Sequence, residues 1–344
     1  MPSSYILAQL KNTPSVSGSH ATHSNSDHGD NSSSSTQLRS DQQEIFDNPA
    51  MQTATKCCIS IKEVSRKLGF PARTISTAQL LVYRTYIYRP STRIGSTDMA
   101  TACLFVASKM EETIKKLRDI SAHSYIILTK PQPSSSDPKQ VPSAVIDKMR
   151  PSILNAEQLI LEAIGYDFRT SHAHLLFVKL AKMAGLASKS DIATSGWAIL
   201  SDAYFTTLPV QYPLSVISAG SLCLAWCVAT DEPEDTCIVI RSLFTSNDAS
   251  GNGNHANGRD LGPPKIESKR PLTLTLAKDD EWWVRFGVST ADIQGFVKQM
   301  VDFYLLFFNS TVATTEYLER HKHGIPSKEM AQKIAQWRMK VSNA

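Results

Sequence analysis

The chain has 344 residues and a mass of 37.9 kDa, which is the size of about two domains. Hydrophobic residues make up 42% and charged residues 20%, so a sizeable core can form, and the formal net charge is +4. The sequence contains no run of about 18 apolar residues that could span a membrane and no secretory signal pattern. Its cysteines are too sparse for a disulfide scaffold. This composition predicts an intracellular protein with reduced cysteines.

The first fifty residues differ in composition from the rest. Residues 15–40 are rich in Ser, His, Asn and Asp, and residues 1–50 carry a net charge of −3, which leaves +7 for the remainder. Such polar sequence buries too little apolar surface to offset the entropy of ordering. We predict a disordered tail over 1–50 and inserted polar loops at 130–142 and 246–264.

The remaining chain has helical periodicity almost throughout. Apolar residues recur at steps of three and four, as in Leu80, Tyr83 and Ile87. Short polar residues that cap helices precede several of these segments, and the clearest strand-like alternation is confined to 272–276. The sequence predicts an all-α protein with helices at Ile59–Leu68, Thr74–Tyr88, Thr97–Glu112, Pro142–Ile164, His172–Ala184, Asp191–Thr206, Pro213–Ala229, Thr290–Phe308 and Pro326–Lys340.

Two parts of the chain resemble each other at a constant offset of 118 residues. Residues 104–109 align with 222–227, and Tyr86 aligns with Tyr204. The helices that contain residues 104–109 and 222–227 carry small residues on one face. Such a face lets neighbouring helices pack closely around each of them. We predict two tandem helical bundles at 51–170 and 171–312, the second with a flexible insert at 244–271, followed by a C-terminal helical tail at 313–344.

The common motifs for catalysis and cofactor binding do not occur in the chain. The sequence contains no Gly-x-x-x-x-Gly-Lys loop, His-Glu-x-x-His helix or Gly-x-Ser-x-Gly elbow. Cys223 and Cys227 have helical i, i+4 spacing, but their apolar surroundings favour burial over metal binding. His172 and His174 precede an apolar helix, which favours cap or linker positions. We predict a protein without catalytic residues, cofactor or metal.

The segment Met99–Glu112 resembles the third helix of a cyclin box, which ends in Ala-Ser-Lys-x-Glu-Glu. The segment Ala156–Phe168 resembles the fifth helix and the exit from the first box. Residues 113–117 and 170–174 are similar to transcriptional cyclins of the T, K and L types, as are 211–213 and 282–290. The order and spacing of these motifs over roughly 55–310 are more specific than any one of them. Within that family, the chain is most similar to fungal cyclin (beta) subunits of the kinase for the RNA polymerase II C-terminal domain.

The resemblance implies a nuclear, non-catalytic subunit that binds and activates a cyclin-dependent kinase. That kinase would phosphorylate the RNA polymerase II C-terminal domain and so promote transcription elongation. In cyclins, the lysine of Ala-Ser-Lys and a glutamate of the fifth helix form a charged pair that grips the kinase. These positions are Lys109 and Glu157 here, and we expect Glu111, Glu112 and Lys116 to be further kinase contacts.

The resemblance also defines the expected partners. These are the catalytic subunit of the kinase, a third subunit of the kinase complex, and indirectly the polymerase domain, whereas membranes and direct nucleic-acid binding are not expected. Tandem cyclin folds also occur in a general transcription factor that binds promoter DNA, so this remains the alternative. Against it, the densest basic cluster is only Lys62, Arg66, Lys67 and Arg73, and the zinc ribbon of that factor has no counterpart.

Two further segments bear on binding. Ile59–Val64 departs from the first-helix motif by which cell-cycle cyclins dock substrates, so docking of that kind is not expected. Near the C-terminus, Met330, Ile334, Trp337 and Val341 form an apolar stripe at helical spacing. This stripe is compatible with a helix packed on the second bundle and with a helix that enters the groove of a partner.

Overall fold

The computed structural model describes residues 48–129, 141–186, 190–229, 281–309 and 326–342, and all regular structure in these ranges is helical. This confirms the predicted all-α class. The predicted tail up to residue 47, the loop residues 130–140 and 246–264, and the strand-like segment 272–276 lie outside the described residues. The helices are α1 Pro49–Leu68, α2 Ala72–Tyr88, α3 Ser96–Met110, α4 Leu117–Thr129, α5 Ser143–Ala163, α6 Ala173–Met183, α7 Asp191–Ala203, α8 Leu208–Gln211, α9 Leu214–Ala229, a 3₁₀ helix Trp282–Phe286, α10 Thr290–Asn309 and α11 Lys328–Ser342.

Helix α1 begins ten residues earlier than predicted. Asn48 caps it by accepting a hydrogen bond from the Ala50 amide at 2.9 Å, and Pro49 occupies the first turn, where its missing N–H costs nothing. The helix ends at Gly69, whose φ of 70° suits glycine. The early turns bury small residues such as Ala54 and Cys57, so their periodicity in large apolar residues is weak.

Helix α4 was not predicted. Its inward face contains Ser121 and Ser124 beside Ile120 and Ile127, all of them buried. Ser124 donates to the Ile120 carbonyl at 3.0 Å and accepts from Thr101 of α3 at 2.9 Å. Because hydroxyl groups take the place of apolar side chains on this face, the hydrophobic pattern alone does not reveal the helix.

The helices form two bundles, each built around one central helix. Helix α3 contacts α1, α2, α4 and α5, whereas α9 contacts α6, α7, α8, α10 and α11. Both central helices have small buried residues at the points of close approach, such as Cys103 and Ala107 in α3 and Gly220 in α9. The 118-residue offset therefore relates two helices with the same structural position.

Helix α11 packs against α7, α9 and α10. Its apolar stripe is buried, since Met330, Ile334, Trp337 and Val341 are each at most 5% exposed. Of the two interpretations left open by the sequence, packing on the second bundle describes this helix.

Neither a metal site nor a membrane-spanning helix is found among the described residues, and the cysteines there are buried in the core. Cys223 and Cys227 are buried and form no disulfide, in agreement with the sequence interpretation. Among the described residues, no cluster of His, Cys, Asp and Glu has the arrangement of a metal site. In the same ranges, no helix combines the length and hydropathy that crossing a membrane requires.

His174 makes the stability of the second bundle depend on pH. The ring is 7% exposed, lies 4.9 Å from Trp197 and 5.5 Å from Tyr204 between ring centroids, and its Nδ1 atom has no hydrogen-bond partner. Burial, with a smaller contribution from His172, lowers the pKa of His174 to about 4. The unfolded chain binds this proton more tightly than the folded one. The contribution of His174 to the free energy of unfolding is therefore fully present above the unfolded-state pKa of about 6.5 and is lost as the pH falls towards 4.

Because of this histidine, we expect the free energy of unfolding to be about 2 kcal/mol lower at pH 5 than at pH 8. Urea denaturation of the wild type and of His174→Phe at both pH values measures it. The phenylalanine variant keeps the aromatic packing without the titration, so its stability should fall less over this interval. Equal losses in the two proteins would contradict the prediction.

Candidate functional site

The predicted lysine–glutamate pair is formed in the structure. Lys109 lies in the last turn of α3, and its Nζ atom is 2.6 Å from Oε1 of Glu157 on α5. The lysine side chain is 46% exposed and that of the glutamate 18%. The packing of α5 against the central helix thus brings together two residues that are 48 positions apart, and both charges remain accessible to a partner.

The ammonium group of Lys109 lies over the aromatic ring of Phe105. Phe105 lies one turn before Lys109 on α3, and the ammonium is 3.9 Å from the centroid of its half-buried ring. A cation over an aromatic face is attracted by about 0.5–1 kcal/mol at exposed sites. Phe105 was not among the predicted contact residues, although its i, i+4 spacing to Lys109 is visible in the sequence.

Glu111 does not lie on this exposed surface, contrary to its assignment as a kinase contact. It is 8% exposed, and its Oε1 atom accepts hydrogen bonds from Thr77 at 2.7 Å, Thr170 at 2.8 Å and His172 at 3.1 Å. Arg73 donates to its main-chain carbonyl at 3.1 Å. A carboxylate engaged in this way is not available to a partner, so the role of Glu111 is structural.

The environment of Glu111 favours the charged form. Burial by itself would raise the pKa of this carboxyl, but the hydrogen bonds from Thr77 and Thr170 and the interaction with His172 outweigh burial and lower it. These contacts tie the end of α3 to α2 and to the segment that leads into the second bundle. Glu111 therefore fixes the backbone immediately after Lys109.

The other two predicted contact residues, Glu112 and Lys116, are exposed. Glu112 has a φ of 55°, and the amide of Thr113 donates to the Ser108 carbonyl at 2.9 Å, so the chain turns sharply out of α3. The turn also exposes Ile114, of which 74% is accessible. Ile114 was not predicted as a contact, because a single apolar residue in a charged stretch carries no periodic signal.

On α5, Leu154 is 44% exposed one turn before Glu157. We call Lys109, Glu112, Ile114, Lys116, Leu154 and Glu157 the α3–α5 surface. It combines both signs of charge with two exposed apolar side chains. The residue that corresponds to Lys109 in the second bundle is Cys227, which is buried, so the second bundle has no equivalent ammonium at this position.

Comparison with known proteins finds similarity that includes the first bundle. Residues 27–169 match the family "Cyclin, N-terminal domain". The chain is 38% identical over 185 residues to CTD kinase subunit beta of Schizosaccharomyces pombe, which covers 54% of this chain and 53% of that protein. It is 30% identical over 168 residues to Cyclin-T1-4 of Arabidopsis thaliana, which covers 49% of this chain and 31% of the relative. The chain thus spans about half the length of the first of these relatives and less of the second.

A solved structure supports the fold. A chain in the crystal structure of the yeast RNA Pol II CTD kinase CTDK-1 complex superposes with a TM-score of 0.57 at 16% sequence identity, covering 98% of this chain and 82% of that one. At this identity the likeness concerns the fold. Together with the matched motifs, these findings confirm the resemblance to transcriptional cyclins over the matched part of the chain.

Proposed function

We propose that this chain is the regulatory cyclin subunit of a nuclear cyclin-dependent kinase that phosphorylates the RNA polymerase II C-terminal domain and promotes elongation. The single observation that carries the proposal is the exposed Lys109–Glu157 pair, held at 2.6 Å in the stretch that matches the cyclin N-terminal domain. Its support from relatives is the similarity to CTD kinase subunit beta and Cyclin-T1-4. The proposal includes two cyclin boxes at 51–170 and 171–312, no catalytic step on this chain, and a complex that admits a third subunit.

The α3–α5 surface can act by binding one conformation of the kinase more tightly than the other. Lys109 donates one hydrogen bond to Glu157, which leaves two ammonium N–H groups for carbonyl groups of a partner. Glu157 retains a second carboxylate oxygen as an acceptor. If these groups bind the kinase helix that carries its active-site glutamate only in the inward position, binding shifts the population to the active state. The inward glutamate then completes the ion pair that holds the ATP phosphates.

The alternative of promoter-DNA binding receives less support from the arrangement of cations. In the densest basic cluster, Lys62 bonds Asp202 at 3.2 Å and Arg73 bonds the Glu111 carbonyl at 3.1 Å. Both side chains are therefore engaged within the chain. Phosphate contacts require several cations free to face the nucleic acid, and the site is better explained by a protein partner.

Replacing both members of the charged pair tests the proposed function. We expect Lys109→Ala with Glu157→Ala to weaken kinase association by at least tenfold, because charge-assisted hydrogen bonds contribute about 1.5–3 kcal/mol each. Co-purification of the tagged full chain from its native cells, with quantification of the accompanying kinase by mass spectrometry, measures this effect. The helical circular-dichroism spectrum should be unchanged, since the pair is accessible to solvent.

Two further variants separate docking from folding. The exchange Lys109→Glu with Glu157→Lys restores the attraction within the chain but reverses the charges offered to the partner, so association should remain lost. Gln158→Ala with Glu162→Ala removes another side-chain contact of α5, at 3.2 Å, and should leave association intact. Normal kinase recovery with the alanine pair would refute the assignment of these residues, and recovery of no kinase with the wild type would refute the function.

A further inference from the structure

A pocket lies between the first turns of α4 and α5, and none of the residues that line it belongs to the α3–α5 surface. Its volume is about 320 Å³, and it is lined by Leu117, Arg118, Ser121, Ser143, Ile146, Asp147 and Arg150. On α5, Ser143, Asp147 and Arg150 recur at steps of four and three and therefore share one face of the helix. On α4, Arg118 and Ser121 lie three residues apart on the opposing wall. The volume is at the lower end of the range for ligand pockets.

The pocket contains an unpartnered hydroxyl group. Ser121 is 0% exposed, and its Oγ atom has no hydrogen-bond partner. Leaving a buried hydroxyl without a partner costs about 1–3 kcal/mol. Serines inside helices usually avoid this cost by bonding a carbonyl of the preceding turn, as Ser124 does on the same helix. Ser121 does not, and because it lines the pocket, its hydroxyl group is left to donate to an acceptor that binds there.

The other polar groups of the pocket favour an anion. Helix α5 has 21 residues, begins after Pro142 without a side-chain cap, and has no acidic residue in its first turn. Its N-terminal end therefore presents a partial positive charge and N–H groups that lack a side-chain acceptor. Arg118 and Arg150 are exposed and form no ion pair with the described residues. Asp147 opposes them with one negative charge, so the titratable side chains of the lining sum to +1.

We propose that this pocket binds the phosphoryl group of a phosphorylated serine or threonine in a partner peptide. Two guanidinium groups match the oxygens of a phosphate dianion, which they can bond in pairs, and the helix N-terminus and Ser121 supply further donors. Leu117 and Ile146 form apolar walls next to these donors. Such walls suit the carbon atoms of a phosphorylated side chain and contribute nothing to the binding of a free inorganic anion.

The test uses the purified full chain and two probes. One is a fluorescein-labelled peptide Ala-Ala-Ser-Ala-Ala with phosphoserine at its centre, measured by anisotropy next to its unphosphorylated form, and the other is inorganic phosphate as a competitor. We expect the phosphopeptide to bind, the unphosphorylated peptide to bind at least tenfold more weakly, and inorganic phosphate to compete only at much higher concentration. Inorganic phosphate that binds as tightly as the phosphopeptide would overturn the peptide assignment.

Four variants connect the binding to the pocket. Arg118→Gln with Arg150→Gln should weaken phosphopeptide binding at least tenfold, and Ser121→Ala several-fold. Asp147→Asn should strengthen it several-fold, an effect that a merely structural role would not produce. Lys148→Gln removes an exposed cation of α5 that does not line the pocket and should change little. An absence of phosphopeptide binding, or equal binding by the wild type and the double arginine variant, would overturn the proposal.

Discussion

Asp202→Ala is expected to destabilise the chain by about 3–5 kcal/mol, the loss typical when one partner of a buried charge pair is removed. Asp202 is 1% exposed. Its Oδ2 atom accepts from the Tyr304 hydroxyl at 2.8 Å and from the Ser327 amide at 3.1 Å, while Oδ1 is 3.2 Å from Lys62 Nζ. Alanine leaves all three donors without this acceptor. Urea denaturation monitored by circular dichroism at pH 7 measures the loss.

The three donors come from three parts of the fold, which is why the expected loss is large. Lys62 belongs to α1 of the first bundle, Tyr304 to α10, and Ser327 precedes α11. Burial, followed by the interaction with Asp202, raises the pKa of Tyr304 well above its usual value, so its hydroxyl remains a neutral donor. One carboxylate thus links the two bundles and fixes the start of the C-terminal helix.

Two control variants define the contribution of Asp202. Asp202→Asn retains an oxygen acceptor and the shape of the side chain, so it should cost clearly less than alanine. Asp191→Ala, at the exposed start of the same helix α7, should cost about 0.3–1 kcal/mol through the helix dipole. If Asp202→Ala changed stability no more than Asp191→Ala does, the linking role of Asp202 would be disproved.

A second contact between the bundles lies close to this carboxylate. The Tyr83 hydroxyl of α2 donates to the main-chain carbonyl of Phe205, and the ammonium of Lys62 lies 4.8 Å from the centroid of the Phe205 ring. The short helix α8 also packs against α2. These contacts make the unfolding of the two bundles interdependent. A substitution that destabilises the second bundle should therefore also destabilise the first bundle, which carries the α3–α5 surface.

The contact between Lys109 and Glu157 is present in the structure, whereas their role in kinase binding stays a prediction, which came from family motifs rather than from periodicity. Lys109 and Glu157 were assigned because their segments resemble a cyclin box, and their contact depends on how α5 packs against α3. Residue type and spacing do not show toward which side a glutamate turns. Glu111 and Glu112 are neighbours, yet the first is buried under three hydrogen bonds and the second is exposed.

The elements that were missed lack a local signal. Helix α4 has serines where apolar residues would mark its inward face, and the first half of α1 buries small side chains. The sequence around Asp202 does not indicate that it is buried, because its hydrogen-bond partners are 140, 102 and 125 residues away. Long-range polar contacts of this kind depend on the packing of helices, which a hydrophobic pattern does not specify.

Gly220→Val is expected to destabilise the second bundle by about 3 kcal/mol, the upper end of the usual cost of overpacking a core. Gly220 is buried in the middle of α9 and faces Phe296 of α10. A Cβ atom built there would overlap the Cδ1 atom of that ring and lie 2.8 Å from its Cγ atom. The contact involves the root of the ring, which cannot swing away as the tip of a flexible side chain does. Urea denaturation at pH 7 measures the loss.

The same pair permits a test of cause. Phe296→Ala alone opens a cavity and should cost about 3–5 kcal/mol, but in combination with Gly220→Val it also removes the clash. The two losses should therefore be less than additive, with a coupling of about 0.5–3 kcal/mol. Gly95→Ala provides the matched control, because a Cβ atom there meets nothing within 4 Å. Strictly additive losses would mean that the close packing of α9 on α10 is not what requires glycine at position 220.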